Sequence, residues 1–103
     1  MEEKGLEKAE DFINLTKRIK GIDINLQLEK IGDSLKLSIR LTDIKTKEPP
    51  AKTKIMLYFE GRELESVESN EATFYLKFKK YFIKIFVGGK QIGIINLGLT
   101  KEY

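Results

Sequence analysis

The chain contains no cysteine, no histidine and no tryptophan. Without cysteine there is no disulfide framework, which fits a reducing compartment. Without cysteine and histidine together, zinc, haem, iron–sulfur and blue-copper sites lose their usual ligands. The same two absences remove Ser–His and Cys–His nucleophiles and imidazole acid–base chemistry. Long apolar runs are also missing, so no segment approaches the length of a membrane-spanning helix. The opening stretch "MEEKGLEKAEDF" is acidic and has no apolar centre, unlike a signal peptide. These gaps lead to the expectation of a cytoplasmic, non-catalytic protein with no metal, no cofactor and no membrane partner.

What is present suits one globular domain: 103 residues, 41% hydrophobic and 34% charged. Sixteen lysines, twelve glutamates and thirteen isoleucines against two glutamines lean toward a thermophile. The net charge of +3 is too small to imply nucleic acid, but its distribution is uneven. Glu60, Glu63, Glu65, Glu68 and Glu71 share a stretch with Arg62 alone, whereas Lys77, Lys79, Lys80, Lys84 and Lys90 follow with no acid between them. Such runs are ordinarily solvated faces; the sharper reading is a pair of complementary patches that orient a partner or a second copy.

Over residues 1–20, Leu6, Ala9, Phe12, Ile13, Leu15 and Ile19 fall on half of a helical cylinder. Acids come first and bases last, as the helix dipole prefers, and Gly21 supplies a stop. The spacing therefore predicts an N-terminal amphipathic helix over 1–20, followed by a β domain over 21–103. From Gly21 the period becomes two, in "IDINLQLE" (22–29) and "LKLSIRL" (35–41). Pro49 and Pro50 break the chain into a loop over 42–52. Further strands are expected at 54–59, 63–67, 73–78, 82–87 and 91–99, with Gly88-Gly89 as a hairpin turn and a bulge around Gly93. Seven short strands read as an antiparallel, immunoglobulin-like β-sandwich.

The run from "LSIRLTD" through "EPPAKTKIMLYF" and "TFYLKF" to "YFIKIFVGGKQIG" resembles carboxypeptidase-regulatory-like, or transthyretin-like, β-sandwich domains. Its last hairpin is similar to filamin-type and bacterial immunoglobulin-like repeats. The resemblance covers about half of the chain. Lys47 stands where the first family usually has a turn glycine, and no glycine precedes Tyr81. The resemblance implies an accessory or interaction module, and no catalytic residue carries over.

Candidate residues follow from strand alternation and that topology. One sheet points Asp23, Asn25, Gln27, Glu29, Lys36, Ser38, Arg40 and Lys77 at water. The other points Met56, Tyr58, Phe82 and Phe86 outward, with Ile92 or Ile94 beside them. An apolar outer face of that kind marks an interaction surface, covered by the helix residues Phe12 and Ile19, by a second copy or by another protein. A competing reading uses Tyr75, Lys77, Lys79, Lys80, Tyr81 and Lys84 to stack and neutralise single-stranded nucleic acid. Only three arginines and no glycine pattern of an RNA-recognition motif accompany them. An enzyme built on paired carboxylates finds no informative motif; Asp23, Asp33 and Asp43 read as strand and turn residues rather than Ca2+ ligands.

Overall fold

The computed structural model describes residues 12–99, Phe12 by its backbone alone. Eight strands follow one another: β1 (Phe12–Ile19), β2 (Ile22–Ile31), β3 (Ser34–Asp43), β4 (Thr53–Phe59), β5 (Arg62–Val67), β6 (Glu71–Leu76), β7 (Lys80–Val87) and β8 (Lys90–Gly98). They form two four-stranded antiparallel sheets, sheet A in the order β1-β2-β3-β6 and sheet B in the order β5-β4-β7-β8. Among the described residues the architecture is a β-sandwich of eight strands rather than seven.

No helix occurs among the described residues. The expected helix over 1–20 is corrected for its second half, since 12–19 is an edge strand paired with β2 along its whole length. Residues 1–11 lie outside the described residues. Two patterns compete in "FINLTKRI". Ile13, Leu15 and Ile19 satisfy a helical face, yet they also alternate, and they share the inner side of the sheet with Leu28, Leu26 and Ile22. Three of the eight residues are β-branched, which favours the strand. Gly21 misleads for a related reason. A left-handed glycine ends a helix, but it also completes a two-residue hairpin turn, and here Lys20 (φ 49°) and Gly21 (φ 80°) join Ile19 to its partner Ile22.

The same turn geometry recurs at Glu60-Gly61 and Gly88-Gly89, where both central residues have positive φ. At Gly32-Asp33 only the glycine does. All four are two-residue loops whose twist matches that of the paired strands. The remaining connections carry the chain from one sheet to the other. In the β3–β4 connection Asp43 Oδ1 accepts the Lys45 and Thr46 amides at 2.9 and 3.1 Å, an Asx turn that starts the loop before Pro49 and Pro50. Asp33 sits in the hairpin at the far end of β2 from Asp23, so the three spaced aspartates do not converge.

Alternation fills the interior. Ile22, Ile24, Leu26 and Leu28 from β2 and Leu35, Leu37, Ile39 and Leu41 from β3 face Ile55 and Leu57 of β4, Ile83 and Ile85 of β7, and Ile95 and Leu97 of β8. Phe74 and Leu76 of β6 complete this core. Burying each such side chain contributes about 1.5–3 kcal/mol, and among the described residues Thr53, at the start of β4, is the one buried polar residue.

Candidate interaction surfaces

Cross-strand register arranges the outer face of sheet B in rows. Tyr58 lies opposite Phe82, which lies opposite Asn96; Met56 lies opposite Lys84, which lies opposite Ile94; Lys54 lies opposite Phe86, which lies opposite Gln91. Sequence alternation foretells Met56, Tyr58, Phe82 and Phe86 on this side, and the structure brings all four together. Phe82 is 42% exposed and Ile94 49% exposed. Met56 is buried although it faces outward, because Tyr58 and Lys84 lean across it: the Tyr58 hydroxyl approaches Met56 Sδ at 4.0 Å, and Lys84 Nζ lies 4.4 Å from the centre of the Tyr58 ring. That cation–π contact holds the lysine flat and makes its alkyl stem part of the apolar surface.

Ile92 is corrected. In the β7–β8 pairing Gly93 stands opposite Ile85 and Gln91 opposite Phe86, so Ile92 is the extra residue of a bulge. The bulge turns Ile92 toward the core and leaves Ile94 as the apolar residue of the outer face. Ile19 also packs against the core, at the edge where sheet A meets β8. Both residues are half-buried against the core, and the placement of the Phe12 side chain lies outside the described residues.

Beyond Phe86 the face runs into a cleft of about 590 Å3 lined by Lys52, Lys54, Glu68, Ser69, Asn70 and Gly89, with buried Thr53 at its base. It lies between the start of β4, the β5–β6 link and the β7–β8 hairpin. Its charges are mixed, two lysines with one glutamate, which suits a polar rim more than an anion site.

The residues of the nucleic-acid reading are scattered instead. Tyr75 points outward from sheet A, while Lys84 lies on the outer face of sheet B, the opposite side of the sandwich. Tyr81 is 5% exposed, its ring 5.5 Å from that of Phe59, and its hydroxyl accepts the Lys77 amide at 3.1 Å. It closes the core under the β6–β7 link and has no face for a base. Lys79 Nζ lies 5.2 Å from the Phe59 ring centre, covering the same corner. Lys77 and Lys80 remain exposed at this end of the sandwich.

The polar outer face of sheet A is charge-balanced. Arg18 pairs with Asp23 at 2.8 Å and Arg40 with Glu71 at 3.1 Å. Both arginines and Glu71 are exposed and Asp23 is half-exposed, so the pairs orient side chains more than they stabilise the fold. Among the described residues no group of three or more carboxylates is placed to hold a metal ion. No described helix is long and apolar enough to cross a membrane.

Comparison with protein families, with curated proteins and with solved structures finds no match to the chain.

Proposed function

We propose that the chain is a non-catalytic interaction module that works through the outer face of sheet B, with a second copy of itself as the first partner. The observation that carries this reading is the cluster of Tyr58, Phe82, Phe86 and Ile94 on one sheet face, over which no described element packs. Solvated antiparallel faces are ordinarily polar, as the outer face of sheet A is. An apolar one stays in water at a cost of about 25 cal/mol per Å2 of surface.

The finer, immunoglobulin-like assignment belongs to this proposal. Its support is the placement of β2, β3 and β6 in one sheet and β4, β7 and β8 in the other, with β1 and β5 added at the edges. A cytoplasmic setting belongs to it too, on the strength of a cysteine-free composition.

Geometry sets the strength of the association. The four strands of sheet B at about 4.8 Å spacing and roughly 25 Å length present about 500 Å2. A stable complex buries about 800 Å2 on each side, so a face-to-face dimer here falls in the weak, reversible class. Light scattering of the intact chain over a concentration series tests this. A mass that rises toward that of a dimer, and that Phe82→Lys with Ile94→Lys returns to monomer, supports the reading. A strict monomer at every concentration rejects self-association.

A further inference from the structure

The opposite side of the molecule carries a second feature, independent of the face just discussed. On the outer face of sheet A, register lines up Thr16, Asn25, Arg40 and Glu71 across the four strands, then Asn14, Gln27, Ser38 and Thr73 in the adjacent row. The next row holds Glu29, Lys36 and Tyr75. Long side chains thus flank a row in which β3 and β6 contribute only the short Ser38 and Thr73. The result is a cleft of about 240 Å3 lined by Asn25, Gln27, Ser38, Arg40, Glu71 and Thr73. Ile39 and Ala72 also border it, and because their side chains are buried in the core they offer it only main chain.

The hydrogen-bonding groups around the cleft are oriented but not used up. Asn25 Nδ2 donates to Asn14 Oδ1 at 2.9 Å, to Thr16 Oγ1 at 3.1 Å and, more weakly, toward the Leu15 carbonyl at 3.4 Å. A carbonyl can only accept, so the amide nitrogen must face β1, and Asn25 Oδ1 is left as an acceptor with no described partner. The side chains of Gln27, Ser38 and Thr73 likewise make no hydrogen bond to a described residue. Arg40 Nε and Glu71 Oε2 hold each other at 3.1 Å, which fixes both groups at the rim and cancels their charge. Two residues past Thr73 on the same side of β6 stands Tyr75, 68% exposed and with no described ring or cation against it.

Amide, hydroxyl, guanidinium and carboxylate groups of zero net charge, beside an open aromatic ring, match one ligand chemistry closely. A sugar has hydroxyls around its edge, each a donor and an acceptor, and patches of C–H on its faces. Phosphate or nucleic acid would require surplus positive charge, and an apolar ligand would leave these polar groups unpaired. The volume lies just below the lower limit of ordinary small-ligand pockets, about 300 Å3, which leaves room for one ring in the cleft. We propose that the outer face of sheet A binds a neutral oligosaccharide, one ring seated against Gln27, Ser38 and Thr73 and its neighbour stacked on Tyr75.

The experiment is a titration of the isotope-labelled intact chain with maltotriose, cellotriose and mannotriose, followed by amide resonances. A sulfated disaccharide serves as the anionic control. The expected result is saturable movement of the Asn25 and Gln27 side-chain amides and of the Thr73 and Tyr75 backbone signals with at least one neutral probe, unchanged at about 0.5 M salt. Gln27→Ala and Tyr75→Ala, both surface changes that keep the fold, should each weaken binding about tenfold, as loss of one good polar or stacking contact does. The proposal is overturned if no neutral trisaccharide gives saturable shifts up to about 10 mM. It is equally overturned if the variants bind as well as the parent, or if only the sulfated probe binds and salt abolishes it.

Discussion

Ile19 lies so close over Gly93 that a Cβ on residue 93 would come within 2.7 Å of Ile19 Cδ1 and 3.3 Å of its Cγ2. This contact ties β1, the edge strand of sheet A, to β8, the edge strand of sheet B, and closes one side of the sandwich. Farther along the inner face of β1 nothing comparable covers the chain, and Leu15 and Ile13 are 49% and 39% exposed. The glycine is thus favoured by the space its neighbour takes, not by its backbone conformation.

Gly93→Ala should therefore destabilise the protein by about 1 kcal/mol, the lower end for overpacking because Cδ1 is the mobile tip of a side chain. Ile19→Val removes that methyl. The double variant should recover most of the loss, and chemical denaturation of the four proteins reads the coupling directly. Additive effects would mean that the two residues do not share the space.

The sequence pattern starts a strand at Phe82 and leaves Tyr81 before it as a candidate stacking residue, whereas the structure buries Tyr81 inside β7. Its hydroxyl accepts the Lys77 amide within the β6–β7 link, which otherwise leaves that N–H without a partner. Tyr81→Phe keeps the ring against Phe59 and should cost about 1 kcal/mol, seen as a lower denaturation midpoint with unchanged slope. A neutral outcome would show water taking the place of the hydroxyl.

Two hairpin turns hold a residue other than glycine or asparagine in the left-handed region, Lys20 at φ 49° and Glu60 at φ 51°. Each is followed by a glycine, so Lys20→Asn and Glu60→Asn create the Asn-Gly pair that this turn favours. Each should raise stability by up to about 1 kcal/mol, the cost of a left-handed residue with an ordinary side chain. Thermal unfolding of the single and double variants measures it, and additivity is expected because the turns belong to different sheets.

Period-two stretches in β2, β3 and β7 disclose their buried faces, because Ile24, Leu37 and Ile83 sit in clean alternation. Alternation and turn residues alone do not divide these strands between two sheets; that division rests on the immunoglobulin-like topology that the resemblance implies. β1 is not legible, because a lysine at position 17 interrupts the alternation of Ile13, Leu15 and Ile19 and leaves a helical spacing equally good. The exchange of Ile92 for Ile94 depends on which residue of β8 is the extra one, and local sequence does not specify that register. The cleft beside Gln27 is hidden for another reason: its lining comes from three strands whose order only the fold sets.

Lys84 decides how readily the outer face of sheet B can be covered. It stands in the middle row between Met56 and Ile94, with its ammonium on the Tyr58 ring. In the free protein water reaches the charge, whereas a second copy laid over the face would have to strip that water away without offering a buried acid. The lysine thus limits an association that Phe82, Phe86 and Ile94 favour. Lys84→Met keeps an unbranched stem over Met56 and Tyr58 and removes the charge. It should leave the unfolding free energy within about 0.5 kcal/mol of the parent, since the cation–π contact it loses is partly offset by the new packing. It should tighten self-association about tenfold, measured by sedimentation equilibrium. Lys84→Glu loses the same contact without that packing, so it should lower stability by about 1 kcal/mol and abolish association. If both variants associate as the parent does, the face that meets the partner is a different one.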